Sequence, residues 1–174
     1  MNKKVFFMAA LAASVSVFSG CSDDDNPKKS PGGAVAGVYE GALTMDDVPV
    51  DTFDVTAEYV SDSVVNLKLN AKILIYEINI TNCQTSVIQD TVKGEGYYTL
   101  AGQTAISDFE LMPGVAQSAI PSLPITIEGT AAVLGVQGVS AKGINLTIVV
   151  GNAALTELTN GQFPRTVKYN GLEK

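Results

Sequence analysis

The chain has 174 residues, 18 of them acidic against 11 basic, a formal charge of −7, and neither histidine nor tryptophan. That length gives room for one domain, and an acidic balance without clustered Lys or Arg argues against nucleic acid as a partner. Without histidine the chain cannot build a Ser-His-Asp or Cys-His nucleophile or a histidine-based zinc centre.

The N-terminus opens with Lys3 and Lys4, continues through the uncharged, mostly apolar run Val5 to Val17, and reaches Ser19-Gly20-Cys21, where small residues fit a signal peptidase. The run is too short for a transmembrane helix, which needs about 20 apolar residues. The arrangement resembles a bacterial lipoprotein signal, with Phe18 where such signals usually carry Leu. The resemblance implies a signal peptide over residues 1–20, palmitate-type acylation of Cys21, and a lipid-anchored outer-membrane protein exposed at the cell surface. Ser22-Asp23-Asp24-Asp25 resembles the surface-export tag of lipoproteins in one group of Gram-negative gut bacteria. Loss of Lys3 and Lys4 leaves nine basic residues against 18 acidic ones, a mature charge of −9, which argues against polybasic attachment to anionic lipid. Acyl chains would hold the protein instead, at about 0.8 kcal/mol per buried methylene. With Cys21 committed to lipid, Cys83 has no cysteine partner and reads as a buried, inert thiol.

Residues 21–35 read as the acylated cysteine and a flexible linker, reaching on the order of 45 Å if extended. The folded domain is expected over 36–174. From Ala36 onward the hydrophobic period is two. Tyr39, Gly41, Leu43 and Met45 share one face. So do Phe53, Val55, Ala57 and Tyr59, then Val65, Leu67 and Leu69, then Leu74, Tyr76, Ile78 and Ile80. Short breaks at Asp46-Asp47, Ser61-Asp62-Ser63 and Asn70-Ala71-Lys72 predict an antiparallel four-stranded meander over 37–81. Further strands are predicted over 87–92, 96–100, 105–111, 125–133, 144–150 and 166–169. The segment 113–124, with three prolines, is expected to be a loop, and 152–160, followed by Gly161, a short helix.

Eight to ten short strands with one apolar face must close that face on itself, and a tightly linked meander favours a barrel over a sandwich. The expected fold is therefore all-β, a single antiparallel up-and-down barrel of about eight strands. The opening Ala36-Gly37-Val38-Tyr39-Glu40-Gly41-Ala42-Leu43-Thr44 and the closing Phe163-Pro164-Arg165-Thr166-Val167-Lys168-Tyr169-Asn170-Gly171 resemble the ends of the calycin-like β-barrel domain of bacterial lipoproteins. Lipocalins open with Gly-X-Trp and pack a late basic residue across the indole. That likeness implies Tyr39 and Arg165 as a barrel-closing cation–π pair.

An eight-stranded barrel is either filled by side chains or holds one small ligand. The inward set expected to line it is Tyr39, Leu43, Phe53, Val55, Tyr59, Leu67, Tyr76 and Ile78. Two functions follow: binding of a small, mostly apolar ligand, or a filled scaffold in a surface complex, such as one that handles glycans. For the scaffold, Tyr97, Tyr98 and the loop 113–124 are candidate contacts. Catalytic, cofactor and metal sites are not expected. Asp23 to Asp25 lack the glycine and spaced oxygens of a calcium loop. Asp46, Asp47 and Asp51 suit a tight turn, and Glu40, Asp54, Glu58 and Glu77 fall on polar faces. Asn79-Ile80-Thr81 and Asn145-Leu146-Thr147 match the Asn-X-Ser/Thr sequon, which a bacterial lipoprotein would not normally use. Asp62-Ser63-Val64 and Asp90-Thr91-Val92 resemble O-glycosylation acceptors.

Overall fold

The computed structural model describes residues 30–45, 47–73, 76–110, 119–136 and 139–174. The signal-like segment and Cys21 lie outside these residues. Eight strands run in chain order: β1 (Gly37–Met45), β2 (Val48–Ser61), β3 (Val64–Ile73), β4 (Tyr76–Gln89), β5 (Tyr97–Glu110), β6 (Ala119–Val136), β7 (Val139–Val150) and β8 (Arg165–Glu173). Each pairs antiparallel with the next, and β8 returns to β1, so the sheet closes into an up-and-down barrel. This is the all-β architecture that the two-residue repeat and short links predict, and it is consistent with a calycin-like fold. Closure leaves no sheet edge at the β1–β8 seam and turns one face of every strand into a shared core.

Where the strand ladder is regular, alternation and burial agree. Tyr39 and Leu43 of β1, and Ile144, Leu146, Ile148 and Val150 of β7, all face inward and are at most 2% exposed. Strand β3 runs past the expected break at Asn70 and buries Ala71 and Ile73 as well. In β4 the pairs Leu67↔Cys83 and Leu69↔Ile80 leave two residues, Thr81 and Asn82, opposite Lys68 alone. That bulge swaps the inward parity from Ile78 and Ile80 to Cys83, Thr85 and Val87. The two strands expected over 74–81 and 87–92 are thus one bulged strand. Similarly, the inward set steps from Ile106 to Phe109 across Asp108, whose φ is 51°, and opposite it from Leu123 to Ile120.

The proline-rich loop expected over 113–124 is corrected in its second half. Residues 111–118 lie outside the described set, but Pro121 and Pro124 sit within β6. Here β6 pairs only with β5, because β7 joins at Ile125↔Val150. A missing N–H is tolerated along such a half-free edge.

A short segment covers each end of the barrel. Helix α1 (Pro31–Val35) starts at Ser30, whose Oγ accepts a hydrogen bond from the Gly33 N–H at 3.2 Å. It packs against β2, β3, β4 and β6, hence across the mouth. A Cβ on Gly32 would lie 2.2 Å from the Ser61 carbonyl, so only glycine fits that approach. Val35 has no exposed surface. Residues assigned to the flexible linker therefore fold onto the barrel. This end, called the tether end below, also carries the β2–β3, β4–β5 and β6–β7 turns and the C-terminus. At the far end the helix expected over 152–160 is a single turn, α2 (Leu155–Leu158). Thr159 Oγ1 donates to the Leu155 carbonyl at 2.7 Å and accepts from the Phe163 N–H at 3.1 Å, which tucks Phe163 edge-on to Phe109 at 6.0 Å.

Candidate functional site

Of the eight side chains expected to line the interior, Tyr39, Leu43, Val55, Leu67 and Ile78 face inward with 0% of their surface exposed. The wall of a water-sized void keeps accessible area, and these keep none, so each touches neighbours on all sides. Phe53 is partly buried and packs against the core. Tyr59 departs from the expectation: it has inward parity but sits at the tether-end rim, 44% exposed, where its hydroxyl donates to Asp62 Oδ1 at 3.0 Å. A register shift between Tyr59 and Ser61 lifts the strand end off the core there. Tyr76 begins β4, and its side chain lies outside the described residues.

The Tyr39–Arg165 pair is a correction. Tyr39 faces Glu173 across the β1–β8 seam, whereas Arg165, at the other end of β8, faces Val150. Eight residues of strand separate the two positions, on the order of 26 Å. Arg165 instead donates from Nε to the Gln162 carbonyl at 2.6 Å. The closing aromatic is Tyr169. Its hydroxyl donates to the Tyr39 carbonyl at 2.8 Å and the Phe53 carbonyl at 3.2 Å, and its ring stacks on Phe53 at 5.0 Å. The Tyr39 hydroxyl in turn donates to the Val35 carbonyl at 2.5 Å, tying α1 to the seam. Burial raises both phenol pKa values, that of Tyr169 to about 12, with Glu173 adding to the effect at Tyr39. Beneath Tyr169 lies the pair Gly41↔Gly171. A Cβ on Gly41 would fall 2.0 Å from the Asn170 carbonyl, and one on Gly171 2.7 Å from the tyrosine ring. Sequence reasoning missed this role; the available signal was a glycine on the inward face of both terminal strands, two residues from an aromatic.

Among the described residues the barrel wall opens toward the far end at two places. β2 and β3 pair only from Val55↔Leu69 to Ser61↔Val64, beside a cleft of about 420 Å³ at Thr52, Phe53, Asp54 and Asn70. The second opening lies between β4 and β5, which pair only from Thr85↔Gly102 to Gln89↔Tyr98. Toward the far end β4 keeps only β3 as a ladder neighbour and β5 only β6. Between them lies a lateral cleft of about 410 Å³, lined by Asn79, Thr81, Asn82, Thr104, Ile106 and Ser107 among others. The bulge at Thr81-Asn82 turns β4 away, and Thr104 Oγ1 donates to the Asn82 carbonyl at 3.1 Å across the gap. Gly102 marks the fork, since a Cβ there would meet Thr85 Oγ1 at 2.5 Å. The facing edges carry main-chain donors and acceptors that no ladder uses, beside hydroxyl and amide side chains, a surface that suits an extended peptide. Another depression, of about 460 Å³, lies over outward-facing Gln84, Ser86, Gln103 and Glu128.

Chemically reactive groups are dispersed. Cys83 is fully buried, and desolvation raises its thiol pKa. Among the described residues no three metal-ligating side chains cluster. Glu40, Asp54, Glu58 and Glu77 are exposed on the outer face, where Lys174 pairs with Asp54 at 2.8 Å and Lys68 with Glu58. Asp47 occupies the β1–β2 turn at φ 61°, and Asp51 accepts from the Lys72 N–H at 2.8 Å. Asp90 Oδ1 accepts from the Val92 and Lys93 N–H groups, a turn-forming role. Tyr98 turns inward at 9% exposure, so it forms no surface patch with Tyr97. Ser63 and Thr91 are exposed in tether-end turns. Comparison of the chain with family models, curated proteins and solved structures found no match.

Proposed function

We propose that the mature chain is a non-enzymatic lipoprotein, held at the outer-membrane surface by acyl chains on Cys21, whose barrel acts as a filled scaffold in a protein complex. The close-packed interior carries this reading: five of the expected lining residues have no accessible surface. An apolar ligand would have to displace them, at about 1.5–3 kcal/mol of burial each. The anchor rests on the sequence alone, on Lys3-Lys4, the apolar run and Ser19-Gly20-Cys21. The open β4–β5 edges are the surface where a partner segment would pair.

Native mass spectrometry of the full mature protein, purified from its own host, tests the reading. The expected result is an acylated chain that retains a polypeptide partner and releases no stoichiometric small molecule on denaturation. Release of one apolar molecule per chain would restore the ligand-carrier function and refute the scaffold. A Cys21→Ala variant should accumulate as unprocessed precursor or soluble, unacylated product; normal palmitate incorporation would remove the anchor.

A further inference from the structure

Ten large hydrophobic side chains are exposed among the described residues, and their distribution is lopsided. Val48, Val50 and Leu158 lie at the far end. The other seven encircle the tether end. Val38 is the second residue of β1 and Leu172 the second-last of β8; Ile88 is second-last in β4, and Leu134 third-last in β6. Tyr59 and Val60 close β2, and Val92, 95% exposed, tops the β4–β5 turn. Of the charges beside this ring, Glu173 pairs with Lys142 at 2.7 Å, Asp90 with Lys93 at 3.8 Å, and Glu58 with Lys68, while Asp62 accepts from the Tyr59 hydroxyl and Glu95 stands exposed in the β4–β5 turn. The chain leaves this same end at Ser30, nine residues from Cys21, a span of at most about 30 Å.

We infer that the apolar ring around the tether end is a lipid-contact surface, which seats the barrel end-on in the headgroup–acyl boundary of the leaflet that holds Cys21. This rests on the proposed anchor. Single scattered hydrophobic residues on a surface need no explanation, but a ring at one end, the end from which the tether leaves beside the β2–β3 turn, is a patch with a direction. A short tether supplies the second half of the argument, because it holds the end at high effective concentration against the bilayer. The mature charge of −9 directs the contact to acyl and zwitterionic groups rather than to anionic headgroups.

The chain has no tryptophan, so a single introduced one is a unique probe. Val92→Trp, Leu134→Trp and, at the far end, Leu158→Trp are made in the full acylated protein and bound to phosphatidylcholine vesicles with brominated acyl chains. Flotation reports the anchor, and thermal melts confirm that each variant folds. The expected result is flotation of all three, with blue-shifted, bromine-quenched emission from positions 92 and 134 and unquenched emission from 158. Flotation with all three unquenched overturns the seating while the anchor stands, as does equal quenching at 158 or a ring covered by a second copy, seen as a cross-linked dimer. A glycan on Thr91, read from the intact mass, would hold Val92 off the lipid and equally overturn it. Failure to float removes the anchor and the seating together.

Discussion

Leu67→Ala is the sharpest test of a filled barrel. Leu67 sits mid-strand in β3, fully buried, with Ala57 opposite it on β2 and Cys83 opposite it on β4. The substitution removes three carbon groups worth about 0.8 kcal/mol each on transfer, about 2.4 kcal/mol in all. The void adds to this, and its size depends on how far neighbours can collapse. Both flanking residues are small and fixed in hydrogen-bonded ladders, so relaxation is slight and the total loss is about 3–4 kcal/mol. At about 2–4 °C per kcal/mol for a domain of this size, Tm should fall by about 10 °C. Thermal and urea unfolding of the unacylated Cys21→Ser chain, with and without Leu67→Ala, measure it. The variant should also gain stabilisation by benzene, which wild type should not show, because an apolar void stays dry and accepts such a probe. A loss under about 1 kcal/mol, or equal benzene stabilisation of both proteins, would mean that the interior was already slack, and the filled-scaffold argument would fail.

Gly41→Ala should cost more than about 3 kcal/mol or abolish folding, since its Cβ would enter the Asn170 carbonyl. Gly143→Ala, whose nearest neighbour would be Leu172 Cδ2 at 3.6 Å, should change urea stability by less than about 1 kcal/mol. Buried Tyr39 and Tyr169 hold their protons more tightly folded than unfolded, so their contribution is intact below about pH 10 and is lost as pH rises through the folded values. Urea stability should therefore fall with a slope of up to about 1.4 kcal/mol per pH unit for each tyrosine, and Tyr169→Phe should flatten it. A slope unchanged in that variant would contradict the assignment. Val35→Asp places a carboxylate at a fully buried position under α1 and should release the helix, read as new proteolytic cleavage near residue 35 with the barrel still folded; protection equal to wild type would refute the plug.

How much could be read beforehand depended on local regularity. β1 and the half of β7 over 144–150 were legible because the inward and outward residues alternate there without a break, whereas 139–143 of β7 were not expected as strand. In β4 the period fails at Thr81-Asn82, where one bulge shifts the inward face by a residue, so one strand looks like two. Asp108 likewise shifts the inward face of β5, while the break expected between 100 and 105 is regular strand, so the two strands expected there are also one. Residues 31–35, Pro-Gly-Gly-Ala-Val, are too short to show any helical period, and their order comes from the Gly32 and Tyr39 contacts rather than from propensity. The inward set was mostly legible, but the seam was not. Which residue of β8 meets Tyr39 is a question of register over 130 residues of chain, and composition near the two termini carries no information about it. Arg165 was drawn to Tyr39 by analogy, while Tyr169 and the two seam glycines, which do the closing, look individually like ordinary strand residues.

The ordering of α1 also bears on how the molecule would meet its surroundings. With 31–35 packed on the barrel, an acylated Cys21 would leave only the stretch up to Ser30 free to span the distance, so the tether end would stay within about 30 Å of the bilayer. The β4–β5 cleft opens on the opposite half of the barrel, because Asn79 and Asn82 lie toward the start of β4 and Thr104 and Ser107 toward the end of β5. The apolar ring would then face lipid at one end, while the unpaired edges open sideways from the other half of the barrel. A partner that pairs with those edges could do so without lifting the barrel from the membrane. Anchoring and recognition would be separable by mutation: changes at Val92 or Leu134 should leave partner capture intact, and changes at Thr81 or Thr104 should leave vesicle binding intact.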